Sequence, residues 1–354
     1  MERVIAGGID SYDIGKIRDF LEHGFHAINV SIKNQSILIK PNMLSAKSPD
    51  RAVTTHPDFI AALAGFFREY GCSVSLGDSP GYESLERVLK IGQYTDMIKR
   101  YDIRVVPFTK EIRKLSRGIS PYREFIFGED PELYDLVVNV PKLKTHGMMG
   151  MTLGVKNTYG FIRGFLKGHW HVKAGRDRNI FAAILVDIHR IAAPGVTIMD
   201  GILGMCGDGP SSGTPLQCNL VAMAKNAFIL DDFIERRLCP KAMHPITDLA
   251  VKHGLLGEYT ILERDLPAVP ASFPMPRSCD TDWNLPSGVK TLLRNVLVKK
   301  PKAITKSCKQ CGVCAKVCPV GAIELDEKNL HFDYSKCIRC YCCQEMCPHG
   351  AIRV

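Results

Sequence analysis

The sequence predicts an α/β protein, with a body built on an open, largely parallel sheet and a small cysteine-rich α+β module after it. Three observations predict it. Over about the first 265 of 354 residues, short apolar runs alternate with amphipathic stretches of helical period, the pattern of strands and crossover helices in a layered α/β fold. Pro267, Pro270, Pro274 and Pro276 then fall within ten residues and read as an extended linker. Finally, nine of the fourteen cysteines lie between Cys308 and Cys347, whereas Cys72, Cys206, Cys218, Cys239 and Cys279 are scattered. The boundaries that follow are 1–265 for the body, 266–302 for a proline-rich, basic linker and 303–354 for the module.

In chain order, strands are predicted at Ser36 to Lys40, Ser73 to Gly77, Ile103 to Pro107, Leu133 to Val140, Val196 to Met199 and Asn219 to Ala224. The helix with the firmest end signals starts at Pro57, places Ile60, Leu63 and Phe67 on one face and stops at Gly71. Others fit at Tyr82 to Ile91, Ile180 to Ile191, Ala227 to Leu238 and Ile246 to His253, with a short one in the linker at Val289 to Val298. Apolar runs such as Ile180 to Val186 fall far short of the roughly 18 residues a bilayer span needs, so no membrane partner is expected. The N-terminal MERVIAGGID lacks the basic and apolar segments of an export signal, and a cytoplasmic location is expected. In that reducing compartment cysteines bind metal or do chemistry rather than form disulfides.

The module repeats itself: CKQCGVCAKVCPVGAI from Cys308 returns as CIRCYCCQEMCPHGAI from Cys337. Each copy reads C-x2-C-x2-C-x3-C-P, the spacing of bacterial two-cluster ferredoxins, in which the fourth cysteine of each copy serves the other copy's cluster. Three thiolates on a tight loop each reach a different iron of one cubane, and the fourth iron takes a ligand from elsewhere. The expected sets are Cys308, Cys311, Cys314 with Cys347, and Cys337, Cys340, Cys343 with Cys318. Zinc needs only four thiolates per ion and leaves the doubled motif unexplained. Cys342, the ninth cysteine, reads as a nonligating neighbour. A module of about 50 residues buries little core, so two 4Fe-4S clusters are expected to supply much of its folding free energy and to carry electrons one at a time. A redox partner protein is therefore expected.

In open α/β sheets ligands bind outside the carboxyl ends of the strands. Here those ends run into Lys40-Pro41-Asn42, Gly77-Asp78-Ser79-Pro80-Gly81, Lys142 to His146, and Asp200-Gly201 with the loop Gly207 to Pro210. Lys142, Lys144 and His146 share one loop, with Lys156 and Asn157 shortly after. Cations gathered without acids repel unless an anion lies between them. A small anionic substrate is thus expected: Lys40, Lys142 and Lys144 clamping it, Asn42 and Ser79 orienting it, Lys156 and Asn157 near it, and His146 or Asp78 moving protons. GDSPG matches neither a Walker loop nor G-x-G-x-x-G, so neither ATP nor NAD is expected; taken alone it reads as a turn. His169-Trp170-His171, placed on a strand, would set two imidazoles on one face, but without a third ligand it reads as a surface or substrate loop. The scattered cysteines read as small buried apolar residues. The excess of 46 Lys and Arg over 37 Asp and Glu comes with no basic stripe interleaved with aromatics, and no nucleic-acid partner is expected. A second reading, a noncatalytic electron carrier or docking subunit, makes the body a recognition surface.

The segments ILIKPNM, AVTTHPD, LGDSPG, NVPKLKTH, MTLGVKN and DGILGM, in this order and followed by the doubled cysteine motif, resemble the domain of unknown function 362 family over nearly the whole chain. The resemblance implies an α/β body fused to a two-cluster ferredoxin, with no agreed substrate. The body is also remotely similar to the N-terminal part of the nickel-dependent lactate racemases, without a matching residue set that would carry their activity over. Cys206, after DGILGM, stands where relatives commonly have an acid.

Overall fold

A computed structural model describes all residues except 165, 176, 269, 271, 277–298 and 327–328. The helix expected at Val289 to Val298 and the scattered Cys279 lie outside the described residues. The strands of the body are β1 (Glu2–Gly8), β2 (Ser36–Pro41), β3 (Ser73–Asp78), β4 (Arg104–Pro107), β5 (Ile112–Leu115), β6 (Glu124–Phe127), β7 (Leu136–Val140), β8 (Lys142–His146), β9 (Gly150–Thr152), β10 (Val196–Cys206), β11 (Thr214–Ala224) and β12 (Tyr259–Arg264). The main sheet runs β12-β1-β11-β10-β7-β2-β3-β4, with β8 beside β10 and β9 beside β8, while β5 and β6 form a separate hairpin.

The centre, β10-β7-β2-β3-β4, is parallel. Strand β11 runs antiparallel between β10 and β1. Both sheet faces are covered: in β2, Ile37 and Ile39 pack with the helices Ile14–Ile28 and Pro57–Glu69, while Leu38 packs with the helix Arg178–Ala192 on the other side. The helix Pro57–Glu69 begins and ends where its proline and glycine signals put it, and its predicted face is fully buried. Among the described residues, no helix is long and apolar enough to cross a membrane.

Two local expectations are corrected. The segment Lys142 to His146, expected as a loop, is β8, which leaves β7 at Pro141 and pairs beside the far half of β10. Gly201 and Gly204 make room for it: a Cβ at Gly201 would meet Leu143 Cδ2 at 3.1 Å, and one at Gly204 would meet it at 3.3 Å. The His169-Trp170-His171 triplet lies on the helix Leu166–Ala174, where residues two apart point to nearly opposite sides. Accordingly His169 is exposed, while His171 is buried and stacked on Phe181 at 4.2 Å.

Buried histidines are expected to make the fold acid-sensitive. His189, on the helix Arg178–Ala192, packs edge-on against Phe228, and burial pushes its pKa down to about 4. Burial does the same to His171, also to about 4. An unfolded imidazole, with a pKa near 6.5, takes up the proton that the folded one refuses. The unfolded state therefore binds more protons between these values, and stability falls as pH drops from 6.5 toward 4. The expected loss is about 3 kcal/mol for each histidine. Denaturation midpoints across this range should show it, with His189→Phe flattening the slope.

A candidate active site between the sheet edge and the cysteine module

The cations at the strand ends are answered mostly from within the body. Lys40 Nζ lies 2.9 Å from Asp78 Oδ1 and donates to the Pro41 carbonyl at 2.7 Å. Asp78 also accepts from the backbone N–H groups of Met43 and Ser79. Lys142 Nζ lies 2.8 Å from Asp200 Oδ2, with both side chains wholly buried, and donates to Tyr12 Oη at 2.7 Å. Lys144 Nζ donates to Asn42 Oδ1 at 3.0 Å and to the Val53 carbonyl at 2.6 Å, and burial holds its pKa well below the usual lysine range. The expectation of cations without acids is thus corrected. The two carboxylates come from neighbouring strands, dozens of residues away in sequence.

His146 Nδ1 accepts from the N–H groups of Met148 and Met149, at 3.0 and 3.1 Å, which places the ring proton on Nε2. Nε2 lies 2.8 Å from Oε1 of Glu345, on the module helix Cys342–Glu345. Burial raises the Glu345 pKa, but His146 and Lys156 outweigh it and bring the group to about 2. Two further contacts hold module to body: Ser211 Oγ donates to the Glu345 carbonyl, and Lys47 Nζ donates to that of Pro348.

Between the strand ends and the module lies a cavity of about 530 Å³. From the body it takes Asn42, Asp78, Ser79, Lys156 and Asn157, five of the residues singled out in the sequence. From the module it takes Cys318, Cys342, Glu345 and Met346. Lys40 stands behind Asp78, and Lys142, Lys144 and His146 do not line it. Neither group expected to move protons is at liberty, since the Asp78 carboxylate is engaged by Lys40 and two backbone donors and the His146 ring by Glu345 and two more.

The lysine at the cavity wall is set by a cap. Asp231 accepts from the N–H groups of Gly154 and Val155 at 2.7 and 2.9 Å, fixing the start of the short helix Gly154–Asn157. Asn157 then donates to Asn139 Oδ1 at 2.8 Å and to the Lys40 carbonyl at 3.2 Å, tying that helix to β7 and β2. Lys156 is left facing the cavity, and among the described residues no carboxylate lies within ion-pair distance of it. Burial lowers its pKa, with Glu345 opposing.

Sequence reasoning missed Thr152, Tyr159 and Lys167, which line the cavity together with His171 of the histidine triplet. His171 Nδ1 and Thr152 Oγ1 are buried without a hydrogen-bond partner among the described residues. Lys167 donates to the Ser79 carbonyl, and burial lowers its pKa to about 8. The histidine pair had drawn attention to His171, but nothing in the sequence marks Lys167. The glycine-rich loop misses the cavity: Gly207 accepts from Thr145 Oγ1, and Cys206 ends β10 with its thiol 3.5 Å from the Thr214 carbonyl.

In the module, Cys308, Cys311, Cys314 and Cys347 line one small cavity. The sequence repeat returns in the backbone. Gln310 and Arg339, Gly312 and Tyr341, and Gly321 and Gly350 occupy equivalent positions, all with positive φ. Cys318 Sγ accepts from Ala322 N–H, and Cys347 Sγ from Ala351 N–H, both at 3.2 Å. Among the described residues no three His, Cys, Asp or Glu side chains gather closely enough to hold a single metal ion. Thiols spread around a cavity, with backbone donors to sulfur, fit an iron–sulfur cluster.

Two family models match the chain: Domain of unknown function (DUF362) over residues 37–234, and 4Fe-4S dicluster domain over 307–351. The thylakoid-associated protein sll1697 of Synechocystis sp. is 34% identical over 195 residues, covering 55% of this chain and 60% of that protein. The chain thus spans less than two thirds of that relative's length. Among solved structures, the lactate racemase apoprotein from Thermoanaerobacterium thermosaccharolyticum aligns with a TM-score of 0.41 at 11% identity, covering 65% of this chain and 57% of that one.

Proposed function

The chain belongs to the DUF362 family and carries a 4Fe-4S dicluster domain, and from that premise we propose a cytoplasmic oxidoreductase that exchanges electrons with a small anionic substrate held in the cavity between body and module. When bound, two 4Fe-4S clusters, one on Cys308, Cys311, Cys314 and Cys347 and one on Cys318, Cys337, Cys340 and Cys343, supply one-electron transfer. The observation that carries the proposal is a single cavity walled on one side by Lys156 and Asn42 and on the other by Cys318.

Lys156 binds the anionic group, because a partly desolvated ammonium with Glu345 near it but outside ion-pair distance still gains from a direct anionic partner. Asn42 commits its carbonyl oxygen to Lys144, which leaves Nδ2 as a donor to the same group. The paired Lys40 and Lys142 hold strand ends in place. His171, whose Nδ1 has no partner among the described residues, is positioned to exchange a proton with bound substrate.

Anaerobically purified, cluster-loaded protein is expected to retain a small anion, visible by native mass spectrometry and released on denaturation. Lys156→Met should weaken retention at least tenfold, the loss of about 1.5–3 kcal/mol typical of a charged hydrogen bond, with the cluster spectrum unchanged. If no anion is retained and Lys156→Met alters nothing, the carrier or docking-subunit reading replaces this one.

A further inference from the structure

The two cysteine sets differ in exposure. Cys318 lines the cavity against the body, and Cys340 and Cys343 are buried. In the other set Cys314 and Cys347 are buried, but Cys311 is exposed and Cys308 half-buried, so the loop from Cys308 to Cys311 reaches the module's surface. From Lys302 to Ile323 the chain carries Lys302, Lys306, Lys309 and Lys316 and no Asp or Glu. Lys306 and Lys309, which flank Cys308, are exposed, and no ion pair among the described residues involves either. Lys309 and His349 share the lining of the cavity formed by the four thiols of this set. The module's acids are partly occupied elsewhere: Asp326 pairs with His331 at 2.7 Å, Asp333 with Lys336 at 3.4 Å, and Glu345 turns inward to His146.

We propose that the lysine-bearing face around Cys311, centred on Lys306 and Lys309, is the docking surface for an acidic one-electron carrier protein. An all-thiolate cluster is anionic and by itself repels such a carrier. The two flanking lysines reverse the sign at the rim, where complementary charge steers encounter and sets orientation. The exposed thiol loop then brings the carrier's redox group closest to the module at this point. Each encounter passes one electron between carrier and module, one being oxidised as the other is reduced, and no proton need move. The face lies outside the substrate cavity, so the proposal stands whether or not the body binds a substrate.

The test uses full-length, cluster-loaded protein titrated with an acidic flavodoxin under anaerobic conditions, with binding read by surface plasmon resonance. The dissociation constant is expected to rise at least tenfold between about 20 and 300 mM salt, as exposed charges become screened. The Lys306→Glu, Lys309→Glu double variant should weaken binding at low salt at least tenfold and flatten the salt dependence, while Lys316→Glu, on the cavity side, changes it less than twofold. Should the double variant fail to load clusters, carbodiimide cross-linking of the wild-type complex answers the same question, with Lys306 and Lys309 as the expected sites. Cross-links confined to body lysines, salt-independent binding, or an unchanged dissociation constant in the loaded double variant would each overturn the proposal.

Discussion

Asp200→Ala is expected to destabilise the body by about 3–5 kcal/mol, among the largest effects of any single substitution. The carboxylate lies 2.8 Å from Lys142 Nζ, accepts from Tyr12 Oη at 2.9 Å through Oδ1, and accepts from His56 N–H at 2.8 Å through Oδ2. Removing it strands an ammonium that is wholly buried, together with two donors. Lys142→Met should cost less, because Asp200 keeps both the tyrosine and the backbone donor. Urea midpoints of the two single variants should therefore differ, the aspartate variant lying lower. The double variant Lys142→Met, Asp200→Leu removes both charges and should recover much of the loss, since apolar replacement of a buried pair is often neutral. An additive double variant, or equal single effects, would show that the pair does not act as one unit.

That pair also explains why the sequence was legible in one direction and not in the other. Helix ends carry their own punctuation. Pro57 opens and Gly71 follows one helix, and the run Ala227 to Leu238 is helical over the residues its pattern marks. Each of those signals is local. Strand β8 carries none, because K-L-K-T-H alternates two lysines and a histidine toward one side, which reads as a solvated loop unless the answering groups are known. Asp200 answers from the next strand, Asn42 from the end of β2 and Glu345 from the module. The same holds for the cavity. Asn42, Asp78 and Ser79 were marked by their place after strands, and Lys156 and Asn157 by following the cluster of Lys142, Lys144 and His146, but the opposing wall of Cys318, Cys342 and Glu345 is brought there by the module's docking. Cys342, read as a mere neighbour of the ligands, acquires a place in that wall for the same reason.

Gly160→Ala should remove about 3–5 kcal/mol and the anion-binding capacity together. Gly160 lies in a short 3-10 turn, Thr158–Phe161, and its φ is outside the left-handed region, so the backbone itself accepts alanine. What does not accept it is the ion pair opposite. A Cβ there would stand 2.0 Å from Asp78 Oδ1 and 2.4 Å from Lys40 Nζ. Both groups are almost fully buried, so neither can swing to solvent to make room. Displacing Asp78 also pulls on the N–H groups of Met43 and Ser79, which set Asn42 and Ser79 at the cavity wall. Gly257→Ala serves as the control: among the described residues nothing lies within 4 Å of the Cβ it would gain and its φ is outside the left-handed region, so it should change stability by no more than about 1 kcal/mol. Retention of both stability and anion in Gly160→Ala would mean that the Lys40–Asp78 pair yields without cost. The strand-end lysines would then no longer count as fixed supports of the cavity.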